Sequence, residues 1–158
     1  MWLSDEEQTA WRMLLAVNAR LLSRLDAELQ AAHAISLHDY EVLVHLSESD
    51  NCALRMAELA DRLVVSPSGL TRRLDGLVRE GLVERKACIS DRRGMLAVLS
   101  PAGHAVVKEA APTHLMGVRR YVFDSLDRKQ LRQMTTGLQA ISASLTTSKR
   151  QTRIGNSP

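Results

Sequence analysis

Between Leu59 and Gly103 the chain reads LADRLVVSPSGLTRRLDGLVREGLVERKACISDRRGMLAVLSPAG, and its punctuation admits few folds. Ser66-Pro67 is a helix start: serine as N-cap, proline at the first helical position, where a missing N–H is harmless. Gly81 supplies a left-handed terminator about four turns later. Leu82–Lys86 and Met95–Leu99 are short strand-like runs around a polar turn, so they form a hairpin. Ser100-Pro101 repeats the Ser-Pro start. With an apolar periodicity at Met56, Leu59, Ala60 and Leu63 marking a helix over about 55–63, the order is helix, tight turn, helix 66–80, hairpin, helix.

The flanks extend this unit with helices. Ser4 followed by Asp5, Glu6 and Glu7 is a capping box with acids on the positive helix end. Trp11, Leu14, Leu15, Leu21, Leu22, Leu25 and Leu29 then recur at helical spacing, giving a long first helix over about 4–31. Ser36 with Asp39 caps a second helix through about Ser47, with Tyr40, Leu43, Val44 and Leu37 inward. A polar link, Glu48 to Asn51, leads to the third. The fifth helix spans about 101–123, with Pro112 expected to kink or break it. Asp127 with Gln130 caps a sixth that carries Leu131, Met134, Leu138, Ile141 and Leu145. From Thr147 onward nothing apolar repeats, and the basic segment 147–158 is expected to be disordered.

The expected fold class is therefore mainly α with a small β-hairpin. Residues 1–146 make a single domain: a central unit over about 36–100 between long outer helices, about 4–31 and 101–146. The outer helices carry apolar stripes with few local partners, which a second copy of the chain would cover.

Composition narrows the function. Five aromatic residues in 158 are too few for a base-stacking surface for single strands. No apolar run approaches the roughly 18 residues of a membrane span, the start is acidic, and two cysteines make no disulfide framework, so a cytoplasmic protein is expected. The net charge is only +3, but it is unevenly placed. Residues 1–54 hold three Lys/Arg against nine Asp/Glu, whereas residues 94–158 hold nine against three. One surface suited to a polyanion and another turned away from it would give this pattern; so, in part, would ordinary solvated helix faces.

The helix over 66–80 offers the most specific chemistry. At about 100° per residue, Leu74, Leu77 and Val78 fall within about 80° of Leu70 and form a buried face. Ser68, Arg72 and Arg79 lie opposite, with Asp75 close by and Gly69 and Arg73 to one side. The first turns thus present Ser66, Ser68, Gly69, Arg72 and Arg73, with Thr71 at the margin. Small residues allow close approach to a groove wall, and guanidinium forks suit guanine O6/N7 or phosphate. The N–H groups of Ser68 and Gly69 would be free to meet a phosphate. The hairpin tip, Ser90-Asp91-Arg92-Arg93-Gly94, adds two guanidiniums on a tight turn, suited to a narrow minor groove. Asp91 would hold Arg93 or stiffen the turn.

From MAELADRLVVSPSGLTRRLDGLVREGLVER through Asp91-Arg92-Arg93 to LSPAG, the sequence resembles the MarR (multiple antibiotic resistance regulator) family of winged helix-turn-helix repressors. The resemblance covers nearly the whole chain. It implies a homodimer, joined through the outer helices, on a pseudo-palindromic double-stranded DNA operator with recognition helices about 34 Å apart. By position, Ser66 to Arg73 would begin the major-groove helix. Arg93 would enter the minor groove, oriented by Asp91, and Arg92 would contact the backbone.

The resemblance also implies release from DNA by a small phenolic or other amphipathic ligand between the dimerisation helices and the DNA-binding lobe. Candidate lining residues are Trp11, Leu15, His38, Tyr40, His45 and His114, although Trp11 also reads as core. Cys88, among Arg85, Lys86, Arg92 and Arg93, has a setting that would lower a thiol pKa, the alternative being an inert small residue. His38, Cys52, His104, Glu109 and His114 have no metal-ligand spacing, so neither metal nor other cofactor is expected. No HExxH, GxSxG, P-loop or GxGxxG pattern occurs, and no enzymatic activity is expected. The rival reading is a winged-helix protein-interaction module whose basic hairpin meets an acidic protein.

Overall fold

The structure is a computed structural model that describes residues 2–88 and 94–154, with side chains to residue 146. Helix α1 (Asp5–His33) starts from the expected capping box: Ser4 Oγ accepts from the Glu7 N–H, and the Glu7 carboxylate accepts from the Ser4 N–H at 2.7 Å. The Ser4 N–H bonded to the carboxylate, and after it the Ser4 hydroxyl, hold the Glu7 pKa below its ordinary value. Helix α2 (Leu37–Ser47) is capped by Ser36 Oγ on the Asp39 N–H, and Asp26 of α1 accepts from the Leu37 N–H at 2.8 Å. Strand β1 (Ala53–Arg55), helix α3 (Met56–Arg62) and helix α4 (Pro67–Arg79) follow, then strands β2 (Val83–Ala87) and β3 (Met95–Leu99), helix α5 (Pro101–Tyr121) and helix α6 (Arg128–Ile154).

The sheet has three strands rather than the expected two, in the order β1-β3-β2, antiparallel throughout. β1 pairs Leu54 with Ala97, and β2 pairs Arg85 with Ala97 from the other side. Three residues are too short to show alternation, so β1 is silent in the sequence. The chain reaches it through a one-turn helix, Asp50–Cys52, in which Asn51 and Cys52 have φ of 55° and 52°.

The core joins α1 to α4 and the sheet: Leu25 and Leu29 from α1, Leu37, Val42, Leu43 and Leu46 from α2, Leu54, Leu59, then Leu70, Leu74 and Leu77 from α4, with Val83 and Ala97 from the sheet. Only the C-terminal part of α1 enters it. Trp11, read as a core candidate, is instead 53% exposed, and Leu14, Leu15 and Val17 are exposed with it. Among the described residues that apolar stripe is left largely exposed.

Contacts divide the chain into two compact units, residues 1–117 and 118–158. The second holds the end of α5, a turn at Phe123–Ser125, and α6. α6 opens with the expected reciprocal cap, Asp127 Oδ1 on the Gln130 N–H and Gln130 Oε1 on the Asp127 N–H. Its apolar positions Leu131, Leu138, Ile141 and Leu145 are exposed. The helical backbone continues past 146 to Ile154; residues 155–158, the end of the tail expected to be disordered, lie outside the described residues. Pro112 does not end α5. A proline costs one backbone hydrogen bond and a displaced carbonyl, and the helix is anchored on either side, by buried Ala110 and by Thr113, whose hydroxyl lies 2.8 Å from His33 Nε2. No helix among the described residues is long and apolar enough to cross a membrane.

One junction fixes the ends of four elements. α4 stops at Gly81, whose φ of 72° is the left-handed conformation expected of it, with Leu82 N–H bonded to the Leu77 carbonyl. The buried Ser100 hydroxyl donates to the Gly81 carbonyl at 2.6 Å and caps α5 by accepting from the Gly103 N–H at 3.0 Å. The Ser100 N–H donates to the Leu82 carbonyl. Gly103 lies so close that a Cβ there would sit 2.2 Å from the Leu82 oxygen. Gly103→Ala should therefore lower stability by about 2–3 kcal/mol, read by urea unfolding, because the obstacle is backbone and cannot rotate away. Gly76→Ala, in a helical site with open space around it, should have the opposite sign, about 0.5–1 kcal/mol more stable.

Candidate functional site

The first turn of α4 is organised by Ser66, whose Oγ accepts from the Gly69 N–H at 3.1 Å and lies 3.3 Å from the Ser68 hydroxyl. The Gly69 N–H is thus used by the cap, which corrects the expectation that it is free for a phosphate. Ser68 carries no such cap on its N–H and is exposed. The Thr71 hydroxyl donates back to the Pro67 carbonyl at 2.9 Å, leaving its oxygen as an acceptor at the edge of the face. Arg72 is exposed and Arg73 half-buried, and among the described residues no carboxylate pairs with either. Arg79 folds back on its own helix, its Nε bonded to the Asp75 carbonyl. The outward face expected of α4 is present, and its cationic offer is concentrated at Arg72 and Arg73.

Sequence reasoning missed the residue that ties the hairpin to this helix. From β2, the Arg85 guanidinium reaches α4 with both arms: one nitrogen lies 2.8 Å from Asp75 Oδ1, the other donates to the Thr71 carbonyl at 3.0 Å. Asp75, left without a role among the arginines on the outer face of α4, was the available signal. The hairpin ladder runs up to a Cys88 N–H to Gly94 carbonyl bond of 2.8 Å. The tip residues Ser90, Asp91, Arg92 and Arg93 lie outside the described residues.

A second feature is an open groove of about 360 Å³ between α2 and α5. Tyr40, Glu41, Val44, His45 and Glu48 line it from α2, and Val107, Ala111, His114 and Leu115 from α5. Tyr40 and His114 meet with ring centroids 5.1 Å apart and planes tilted by 45°. Burial pushes the Tyr40 hydroxyl pKa up, with Glu48 adding to it. Burial also holds the His114 pKa below 6.5, partly offset by Glu41, and His114 Nδ1 is buried without a hydrogen-bond partner. Of the six residues expected to line a ligand site, the groove brings together Tyr40, His45 and His114. His38 is exposed beside Glu41 at 3.6 Å, and Trp11 and Leu15 stand on the open part of α1.

The MarR family model matches residues 35–94, from just before the N-cap of α2 to just before β3. AbsC, a MarR family transcriptional regulator from Streptomyces coelicolor, superposes with a TM-score of 0.89 at 38% identity, over 93% of this chain and 99% of that one. The chain belongs to the MarR family. Sco3205, a MarR regulator of the same organism crystallised in complex with DNA, is 34% identical with a TM-score of 0.88, over 92% of this chain and 91% of that one. The HTH-type transcriptional repressor YetL of Bacillus subtilis is 31% identical over 84 residues, 53% of this chain; the chain spans half the length of that relative. The fold and family are those of transcriptional regulators, as the winged-helix resemblance implied.

Two outcomes follow for a MarR regulator built this way. Arg85 and Asp75 should show a coupling of about 0.5–1 kcal/mol in a double-mutant cycle of urea unfolding with Arg85→Ala and Asp75→Asn, modest because the carboxylate is half exposed. For His114 the depressed pKa means that the unfolded chain binds the proton more readily than the folded one. Stability attributable to this ring is full above its unfolded pKa and falls as pH drops through 6.5 toward the lower folded value. From roughly pH 7.5 to 5.5 the protein should lose more stability than His114→Gln does, read by denaturant midpoints.

Proposed function

We propose that the protein is a homodimeric transcriptional repressor that binds a pseudo-palindromic operator in double-stranded DNA and releases it when a small amphipathic molecule binds. The observation that carries this reading is the asymmetry of α4. Its inner face, Leu70, Leu74 and Leu77, is buried, while Arg72 and Arg73 stand outward with no carboxylate partner among the described residues. A guanidinium kept unpaired is available to a phosphate or a guanine edge, and the adjacent Ser68 and Gly69 let the helix approach. The hairpin braced to α4 by Arg85 supplies the wing, and the resemblance assigns Arg93 to the minor groove, with Asp91 and Arg92 beside it. Sco3205 in complex with DNA and the repressor YetL support the same reading.

Dimerisation answers a different observation. Trp11, Leu14, Leu15 and Val17 on α1 and Leu138, Ile141 and Leu145 on α6 are exposed along helical stripes, more apolar surface than a monomer ordinarily leaves in water. The groove between α2 and α5 is the ligand site in this reading, since it combines apolar walls with a few polar groups.

Selection of bound sequences from a random duplex pool should return a pseudo-palindrome with half-sites about one DNA turn apart. On that duplex, Arg72→Ala should weaken binding by about 1–3 kcal/mol and relax the base preference at one position of each half-site. Arg93→Ala should weaken binding and flatten the salt dependence by about one phosphate-equivalent or less per protomer. Both variants should sediment as dimers. Unchanged affinity of both at moderate salt would overturn the reading, and a stable acidic protein partner without duplex preference would replace it with a protein-interaction module.

A further inference from the structure

We propose that the groove between α2 and α5 takes an amphipathic organic cation, with its apolar body against the Tyr40–His114 pair and its charge between Glu41 and Glu48. The inference rests on the reading of this groove as the ligand site and names the ligand's charge, which that reading leaves open.

The groove's own side chains set the sign. Glu41 and Glu48 both line it, seven residues apart on one face of α2, so about two helical turns separate two carboxylates along a single wall. No lysine or arginine lines it. His38, beside Glu41 at 3.6 Å, is solvent-exposed and a weak, screened partner, and Glu41 also acts on His114, whose pKa it raises against the stronger effect of burial. His114 adds no compensating cation, because burial favours its neutral ring. The potential inside is therefore negative, and it meets apolar surface from Val44, Ala111 and Leu115. A phenolate or carboxylate entering would meet two like charges and no counter-charge.

The floor specifies the other end of the ligand. His114 Nδ1 is buried and unpartnered, which leaves a polar atom unsatisfied at a cost that a bound hydrogen-bonding group would remove. In the neutral tautomer that carries its proton on Nε2, the ring would present Nδ1 as an acceptor to an N–H or O–H donor of the ligand. A volume of about 360 Å³ accommodates a bicyclic aromatic body with one short substituent.

The test uses three probes of one shape on the full-length dimer: 1-naphthylmethylamine, cationic at neutral pH, the neutral 1-naphthalenemethanol, and the anionic 1-naphthoate. Calorimetric titration at low salt should rank them cation, neutral, anion, with about a tenfold step from cation to neutral. Binding of the cation should move the ring resonances of His114 in the NMR spectrum. In Glu41→Gln/Glu48→Gln the cation should bind about as weakly as the neutral probe, while the neutral probe's own affinity is unchanged. Naphthoate binding as tightly as the amine would overturn the cation assignment while leaving the groove a ligand site. Equal affinity of the amine for wild type and the double variant would overturn it as well. If no probe binds, or none perturbs His114, the assignment falls together with the reading of the groove.

Discussion

The structure hangs on the contact between Gly103 and the Leu82 carbonyl, held by the buried Ser100 hydroxyl. Three consecutive features of the chain meet there: the left-handed end of α4 at Gly81, the entry to β2 at Leu82, and the first turn of α5. With about 2.2 Å between an added Cβ and the Leu82 oxygen, α5 lies against the Leu82 backbone with no room for a side chain between them. The direction in which α4 ends and the direction in which α5 leaves are thereby set by one hydroxyl and one missing side chain. A close-packed contact of this kind transmits displacement, since a dense interior does not absorb it.

Arg85 does for the outer surface what Ser100 does inside. α4 and β2 are covalently joined through Gly81, which fixes one end of the angle between them; the guanidinium fixes a second point, at Asp75 and Thr71. Two points of attachment define the orientation of a hairpin against a helix in a way that one cannot. The carboxylate of Asp75 also occupies Arg85, taking its charge away from the outward face that carries Arg72. Charge on this face is sorted, with Arg85 and Arg79 turned inward or back on the helix and Arg72 and Arg73 left outward.

What was legible in the sequence follows from how local each feature is. Ser66-Pro67, Gly81, Ser100-Pro101 and the Asp127/Gln130 pair announce helix ends because a cap is satisfied within four residues, and all four stand where the spacing placed them. The buried face of α4 was legible for the same reason. β1 was not, because three residues carry no period and their pairing partner lies more than forty residues away. The Arg85–Asp75 pair was only half legible: Asp75 on the arginine face signals a partner, but which residue reaches it depends on the angle between helix and strand, which no spacing encodes. The Gly69 N–H was misjudged in a small way: Ser66 was recognised as a cap, but a cap consumes a donor, and the donor it consumes is that of Gly69. Trp11 was ambiguous in principle, since a stripe that faces a core and a stripe that faces a second chain have the same period.

The groove and the DNA-facing surface are connected through the junction at Ser100. The α5 residues that line the groove begin at Val107, one turn beyond Gly103, and the α2 residues belong to a helix packed against the sheet that carries the wing. A ligand that binds better when α2 and α5 are spread would shift one against the other. The Ser100 hydroxyl and Gly103 tie the first turn of α5 to Gly81 and Leu82, so a displacement of α5 would pull on the end of α4. Movement of α2 instead reaches β3, whose other edge carries β2 and Arg85. Both routes end at the orientation of α4 relative to the hairpin, the quantity on which two-groove binding depends. A ligand shifts that orientation only by as much as it binds one arrangement better than the other. On the proposal that this groove holds a cation, the difference would be tied to the spacing of Glu41 and Glu48 across from Tyr40 and His114, so ligand charge and DNA release would be set by the same few side chains.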